Sequence, residues 1–475
     1  MDDGGEDYKH FISPYSLKPL KPMTTIQAPP IFSLQNPKDV SLNDIEAELL
    51  KIWQGYGGKT GDSPAAMRAT TFTFVVYEPE ETQHLLSILG FYTGPIDGIL
   101  GPRMVSALKA AQKTYGLPRT GKADEATKTK LREEYLELRS GKNPTRPMAT
   151  DFSGSDEGYG MADAIAAANP CRIIALCPIS GADTGVEAQV SAYCPIQKRN
   201  QNTLVCCEYI TLRGTPAALE RIGGVVEELL IGELPKFLWW KATPDENNPL
   251  FRRLAGISST VIIDSSAFPE PELDLLQMGS LVEKGIAIAD LNWRRLAAWQ
   301  ELTASAFDPP ERRAAIKEID RITIDYETGN PSQAFLFLGW LASRLQWRPV
   351  GLQKEGGDYN LMKIHFVGAD QRPIEAELAA IPLADVGEIV GDLIAIRLTS
   401  TNIKADCGTV LCSESGCMRM ESGGVAQSAK TYQVTPLFDQ KTEFLLSQQL
   451  QRWGREMLYE ESLAICTQIL RLAGE

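Results

Sequence analysis

The chain is 475 residues long, 43% hydrophobic and 23% charged, with a formal net charge of −14. That length exceeds a single ordinary core and predicts two or three domains, while the acidic balance repels nucleic acid and anionic membrane surfaces as partners. No apolar run is long enough to span a bilayer, and the acidic start from Met1 to Tyr8 lacks the apolar stretch of a secretory signal, so the cytoplasm is the expected location.

Residues 1–40 contain Pro14, Pro19, Pro22, Pro29, Pro30 and Pro37 without a sustained period, and read as a leader. Leu42 to Tyr56 predicts a helix, with Ser41 or Asn43 as its cap and Ile45, Leu49, Ile52 and Trp53 along one side. Thr70 to Tyr77 runs into Phe72, Phe74, Val75 and Val76 and predicts a strand. Together these make a leader and N-terminal extension over residues 1–80.

The pattern changes at residue 81. Leu85, Leu86 and Leu89 precede Asp97-Gly98, a pair that tolerates positive φ, and Gly101-Pro102 restarts a helix carrying Val105, Leu108, Ala111 and Gln112. Residues 81–139 resemble a peptidoglycan-binding-type repeat, which implies a small three-helix module. The cell-wall ligand of such repeats lies outside the cytoplasm, so an interaction or docking module is expected here. Residues 140–160, rich in Gly, Ser, Asp and Pro, read as a linker. Removing residues 1–150 should then leave a folded chain that still binds its partner.

The body from 161 to 310 alternates strands and helices. Cys171 to Cys177, Val186 to Tyr193 and Leu204 to Ile210 read as strands. Thr215-Pro216 starts a helix with Leu219, Ile222, Val226 and Leu229 at helical spacing, and Pro235 ends it. Lys236 to Trp240 and Ser259 to Ile263 are further strands, and Leu291 to Phe307 reads as one long helix with Leu296, Trp299 and Leu302 inward. This rhythm predicts a doubly wound α/β domain with its functional rim at the C-terminal strand ends. After a bridge over Arg313 to Ile322, residues 311–475 read as an α+β domain. Ser332 to Gln346 and Phe444 to Ile469 are its helices, and Trp453, Met457 and Leu458 are assigned to the buried side of the second. The fold class expected is α/β and α+β multidomain.

Chemistry is thinly signalled. The three histidines, His10, His84 and His365, are scattered, and no glycine-rich phosphate loop follows any strand, so no nucleotide cofactor is expected. Asp264 with Ser265-Ser266 stands at a strand end and reads as a cap. Cys171, Cys177, Cys206 and Cys207 sit on strands as packing thiols, and Cys194 has no assigned role. Cys407, Cys412 and Cys417 fall within eleven residues, with Gly408 and Gly416 between them. A zinc site there lacks a fourth ligand and a tight Cys-x-x-Cys knuckle, so no metal is expected; a reversible disulfide and three plain thiols stay open. Trp239, Trp240, Trp293, Arg294 and Arg295 have the composition of a protein-contact surface, and alternation lets only one of Trp239 and Trp240 face a core.

Three segments carry a family resemblance over roughly residues 160–470. They are Gly232 to Trp240 followed by Ser258 to Ser266, then Asp290 to Arg295 with Trp299 and Phe307-Asp308, then Gly339 to Leu345. In order and spacing they resemble the OpcA family of glucose-6-phosphate dehydrogenase assembly proteins. The resemblance implies a non-catalytic partner of that dehydrogenase that promotes its assembly, activates it and so controls NADPH supply from the oxidative pentose phosphate route. It also implies a thioredoxin-responsive disulfide, for which Cys407 with Cys412 or Cys417 is the expected pair. The competing expectation is a sugar-phosphate-binding enzyme or sensor with its site near Asp264.

Overall fold

The computed structural model describes residues 31–56, 65–68, 71–79, 81–92, 101–139, 170–179, 181–195, 203–310, 312–383, 389–402, 404–405, 407–414, 417–422, 431–436 and 442–474. The Asp97-Gly98 turn, the linker over 140–160 and Gly416 lie outside them.

Two large sheets organise the chain. The first holds β1 (Ile31–Val40), β2 (Ala65–Arg68), β3 (Thr73–Tyr77), β4 (Arg172–Pro178), β5 (Glu187–Pro195), β6 (Thr203–Gly214), β7 (Lys236–Trp240), β8 (Thr260–Ile263) and β9 (Ile288–Asp290). Its order is β1-β5-β6-β4-β3-β7-β8-β9, with β2 beside β6. From β6 to β9 all pairings are parallel, and β5 and β1 close one edge antiparallel. Helix α1 (Ile45–Tyr56) packs on the β1–β5 edge.

This topology corrects the expected division of the chain. The presumed leader supplies β1, and β3, assigned to an N-terminal extension, is a central strand between β4 and β7. A boundary at residues 80 and 161 therefore cuts through one sheet. A buried ion cluster ties the extension down: Arg172 Nε contacts Glu208 Oε2 at 2.6 Å and its guanidinium also meets Glu46 of α1. Trp53 Nε1 donates to Glu208 Oε1 at 2.6 Å, and Arg68 of β2 pairs with the same oxygen at 2.8 Å.

Between β3 and β4 the chain forms α2 (Thr82–Ile88), α3 (Pro102–Thr114) and α4 (Glu125–Arg139), which share an apolar cluster of their own around Leu85, Leu86, Met104, Leu108 and Leu131. Buried Gln112 holds the α3–α4 connection by accepting from Gly121 N at 2.9 Å and donating to Lys122 O at 3.0 Å. This unit is thus an insertion in a crossover of the first sheet.

Helices α5 (Pro216–Arg221) and α6 (Gly223–Leu229) follow β6, with Thr215 capping as expected by accepting from Ala218 N. Then come α7 (Pro249–Ile257), α8 (Pro271–Glu283), α9 (Leu291–Arg295) and α10 (Ala297–Phe307). The expected single helix over 291–307 is broken at Leu296.

The second sheet contains β10 (Arg321–Glu327), β11 (Arg348–Gly356), β12 (Leu361–Val367), β13 (Pro373–Ile381), β14 (Leu393–Thr399), β15 (Thr409–Glu414), β16 (Cys417–Ser422) and β17 (Thr431–Pro436), in the order β11-β12-β13-β10-β14-β15-β16-β17. The expected bridge over 313–322 thus runs into β10. Helix α11 (Ser332–Leu345) covers this sheet, and α12 (Thr442–Gln449) and α13 (Met457–Arg471) finish the chain. Gly339 is needed where α11 meets α13: a Cβ there would lie 2.5 Å from Ser462 O. Two bonds stitch the same contact, Ser462 Oγ to Leu336 O at 2.6 Å and Cys466 Sγ to Phe335 O at 3.0 Å. The closing helix is two helices rather than one, and Trp453, Met457 and Leu458 at the break are exposed, not buried.

Candidate functional site

The parallel strands β3, β4, β6, β7, β8 and β9 sit in space as third, second, first, fourth, fifth and sixth. In doubly wound sheets of this order the ligand crevice lies at the C-terminal end of the first strand, here the end of β3. Tyr77 and Trp240 are partners across β3 and β7, and their rings stack 3.8 Å apart. The next residues, Glu78 and Lys241, form an ion pair at 2.7 Å. Lys241 Nζ also sits 4.2 Å from the centre of the Trp239 ring. From α2, His84 brings Nε2 to 3.6 Å from the same Glu78 oxygen. Burial would push the Glu78 carboxyl up, but Lys241 and His84 outweigh it and hold it at about 2. Cys177, at the end of β4, is pushed up to about 12 by burial and by Glu78. The crevice thus holds a fixed charge pair, with His84 of the inserted helix α2 against it.

A second constellation joins the two sheets. Asp264, just after β8, accepts from Arg295 Nη1 and Nη2, both at 2.8 Å, and from Ser266 N at 3.1 Å. Asp290, which caps α9, accepts at Oδ1 from Ser265 N at 3.0 Å and Asn292 N at 2.9 Å. From the second half, Asn330 Nδ2 donates to Ser265 O at 2.9 Å and Ser266 O at 3.1 Å. Gln333 Nε2 donates to Asn292 Oδ1 at 2.8 Å and Asp392 Oδ1 at 2.6 Å. Asn330 also caps α11 through Ser332 N at 2.8 Å. Asp290 Oδ2 has no hydrogen-bond partner among the described residues. Burial first, and the Asp264 charge second, raise the Asp290 carboxyl to about 7 against the bonds from Ser265 and Asn292. Burial raises Asp392 as well. Apart from Asp290 Oδ2, these groups are committed to partners inside the protein, and the rim residue Asp264 serves Arg295 and a cap.

The expected contact residues are relocated. Trp239 and Trp240 are each 2% exposed and point to opposite faces of the sheet, both covered. Trp293 and Arg295 are buried, and Arg294 is nearly so. They are therefore not a surface. Trp293 Nε1 and Arg294 Nη2 instead donate to Glu456, each at 3.1 Å, and Arg294 Nε to Gln449 Oε1 at 2.9 Å. The Asp290 to Arg295 segment thus closes the joint on one side and holds the loop between α12 and α13 on the other.

Among the cysteines, Cys194 and Cys206 face each other across β5 and β6 and are joined in a disulfide, with Cα atoms 4.2 Å apart. This corrects the expectation that Cys206 is a packing thiol and that Cys194 has no role; the antiparallel register between those strands was the missing information. Cys407 is buried just before β15, and burial with the Asp320 charge pushes its thiol up to about 11. Cys412 is half-buried on β15. Cys417 opens β16 opposite Glu414, while Cys412 pairs with Arg419. The side chain of Cys417 lies outside the described residues.

Three family models match the chain. The C-terminal domain of the glucose-6-phosphate dehydrogenase subunit matches residues 286–463, and its N-terminal domain matches 162–280. A peptidoglycan-binding domain matches residues 78–131. An OxPP cycle protein OpcA of Nostoc punctiforme is 64% identical over 96% of this chain and 98% of its own. Its counterpart in Synechocystis is 58% identical over 95% and 96%. Among solved structures, an NAD-binding oxidoreductase from Klebsiella pneumoniae is 7% identical over 56% of this chain and 82% of that one, with a TM-score of 0.35.

Proposed function

The chain belongs to the OpcA family of glucose-6-phosphate dehydrogenase subunits, and from that membership we propose that it is a non-catalytic assembly factor and allosteric activator of glucose-6-phosphate dehydrogenase. The observation that carries the reading is that the two domains of that subunit match residues 162–280 and 286–463, which together hold six of the nine strands of the first sheet and all eight of the second. The occupied crevice at β3 favours a regulator over a dehydrogenase, because Glu78 places a carboxylate where a doubly wound enzyme receives phosphate. The activator works in the cytoplasm and binds the active conformer of the enzyme better than the inactive one. Substrate binding is then tightened by the same factor as partner binding, which raises NADPH output from the oxidative pentose phosphate route. A disulfide among Cys407, Cys412 and Cys417, reduced by thioredoxin, adjusts that affinity.

Titrating the dehydrogenase with glucose 6-phosphate, with and without this chain at saturation, tests the reading. Half-saturation should fall when the chain is present, and an unchanged curve refutes activation. A second reading, a sugar-phosphate sensor, has one feature in its favour. A cleft of about 380 Å³ at the end of β10 is lined by Glu272, Tyr326, Thr328, Lys354 and Asn360. Saturable binding of glucose 6-phosphate to the isolated chain would favour it.

A further inference from the structure

Seven of the eight tryptophans are buried or half-buried; Trp453 is 67% exposed. Met457 is 58% and Leu458 46% exposed, so three of the nine large apolar side chains exposed among the described residues fall within six positions. Scattered exposed apolar side chains are ordinary, whereas a cluster points to a binding site. Arg452 and Arg455 are exposed in the same stretch. Arg455 pairs with Glu460 at 2.5 Å, and Arg452 makes no ion pair among the described residues. Tryptophan, methionine and arginine are the residues enriched at protein interfaces.

The stretch is held rather than loose. Gly454, at φ +92°, donates its N–H to buried Thr260 Oγ1 at 3.1 Å, which anchors the turn to the start of β8. Gln449 Nε2 donates to Arg452 O at 3.2 Å. Glu456 receives Trp293 and Arg294, so buried residues fix the loop from behind while Trp453 points outward. A side chain displayed on a fixed loop loses little entropy on docking, which is what an anchor requires.

We propose that Trp453, with Met457, Leu458 and Arg452, is the anchor by which this chain docks on the dehydrogenase. The matching feature on the enzyme is an apolar pocket with an acidic rim, complementary to the cationic and apolar stretch. The inference rests on the assembly reading and gives it a surface. It also gives the Trp293-Arg294 segment a role as positioning residues behind the contact.

The test uses the full chain and the purified dehydrogenase. Complex formation is measured by titration calorimetry for the unaltered chain, Trp453→Ala, Arg452→Glu and, as a control, Leu273→Ala, an equally exposed apolar residue on α8. A central anchor predicts that Trp453→Ala weakens the complex roughly thirty-fold or more. Arg452→Glu should weaken it severalfold, more at low than at high salt, as an exposed charge at a contact does. Leu273→Ala should change nothing, and thermal unfolding of Trp453→Ala should match the unaltered chain. If Trp453→Ala binds as tightly as the unaltered chain, or if it only abolishes self-association, this inference is overturned and the assembly reading stands. If the unaltered chain forms no complex, the assembly reading falls and takes the anchor with it.

Discussion

Asp290→Asn is the substitution whose effect follows most directly from the geometry. The Asp290 carboxyl is buried, its Oδ1 is used by two amides, and its Oδ2 faces no hydrogen-bond partner among the described residues. Its pKa stands at about 7, against roughly 4 in an unfolded chain. The folded protein therefore holds this proton more tightly than the unfolded one. That contribution is fully present below about pH 4, declines as pH rises and is lost above about pH 7. Three units correspond to a ceiling of roughly 4 kcal/mol. Asparagine keeps an oxygen for the Ser265 and Asn292 amides and cannot ionise, and it remains a good helix cap. The variant should match the unaltered chain at about pH 3, exceed it by roughly 1 kcal/mol at pH 5 and by a few kcal/mol at pH 8, read from urea midpoints at the three values. A difference that does not change with pH, or a variant less stable at pH 8, would refute the argument.

Two other outcomes follow. Deleting residues 1–150, which the sequence alone presents as harmless, removes β3 from between β4 and β7; the product should be insoluble or give no cooperative melt by circular dichroism, and a cooperative melt would show that the sheet closes without its central strand. Reducing Cys194–Cys206, which are twelve positions apart, should lower stability by about 3 kcal/mol on the chain-entropy account; dithiothreitol should lower the urea midpoint of the unaltered chain by more than that of Cys194→Ser, and labelling of both thiols without reductant would disprove the bond.

Local features of the sequence were readable and non-local ones were not. Thr215-Pro216 and Asn330-Pro331 announce helix starts through chemistry confined to four residues, and both act as caps. The pairing of β1 could not be read that way. Pro37 argues against a strand, yet β1 is an edge strand whose register shifts between Gln35 and Lys38, where a proline is tolerated. Trp239 and Trp240 mislead because alternation assigns one face to solvent, and a parallel sheet covered on both faces has no such side. β10 carries a clear period of two, with Ile322, Ile324 and Tyr326 inward, which reading the segment as a bridge overlooks. Trp453 was legible in part: Gly454 beside it interrupts the helical pattern and frees the residue from the apolar side it nominally continues.

The position of the inserted helices explains how a doubly wound sheet comes to work as a partner. Such a sheet binds phosphate because the turn after its first strand is small enough for backbone N–H groups to approach the ligand. Here that turn begins Glu78-Pro79: a proline has no N–H to offer, and the Glu78 carboxylate, held at about 2, remains charged at any physiological pH. Lys241 neutralises it from the protein side, with His84 Nε2 beside the same oxygen, so an incoming anion would have to break an ion pair of 2.7 Å before gaining one. The crossover that would open the crevice is given over to a unit with its own core. What the scaffold keeps is rigidity. Asn330 and Gln333 bond the Ser265–Ser266 turn and Asn292, which ties the two sheets together beside the Asp264–Arg295 pair, and Trp293 and Arg294 brace the loop that carries Trp453. On the proposed partner role, binding energy comes from an outward surface, and the stretch from Arg452 to Leu458 is where tryptophan, methionine, leucine and arginine are exposed together.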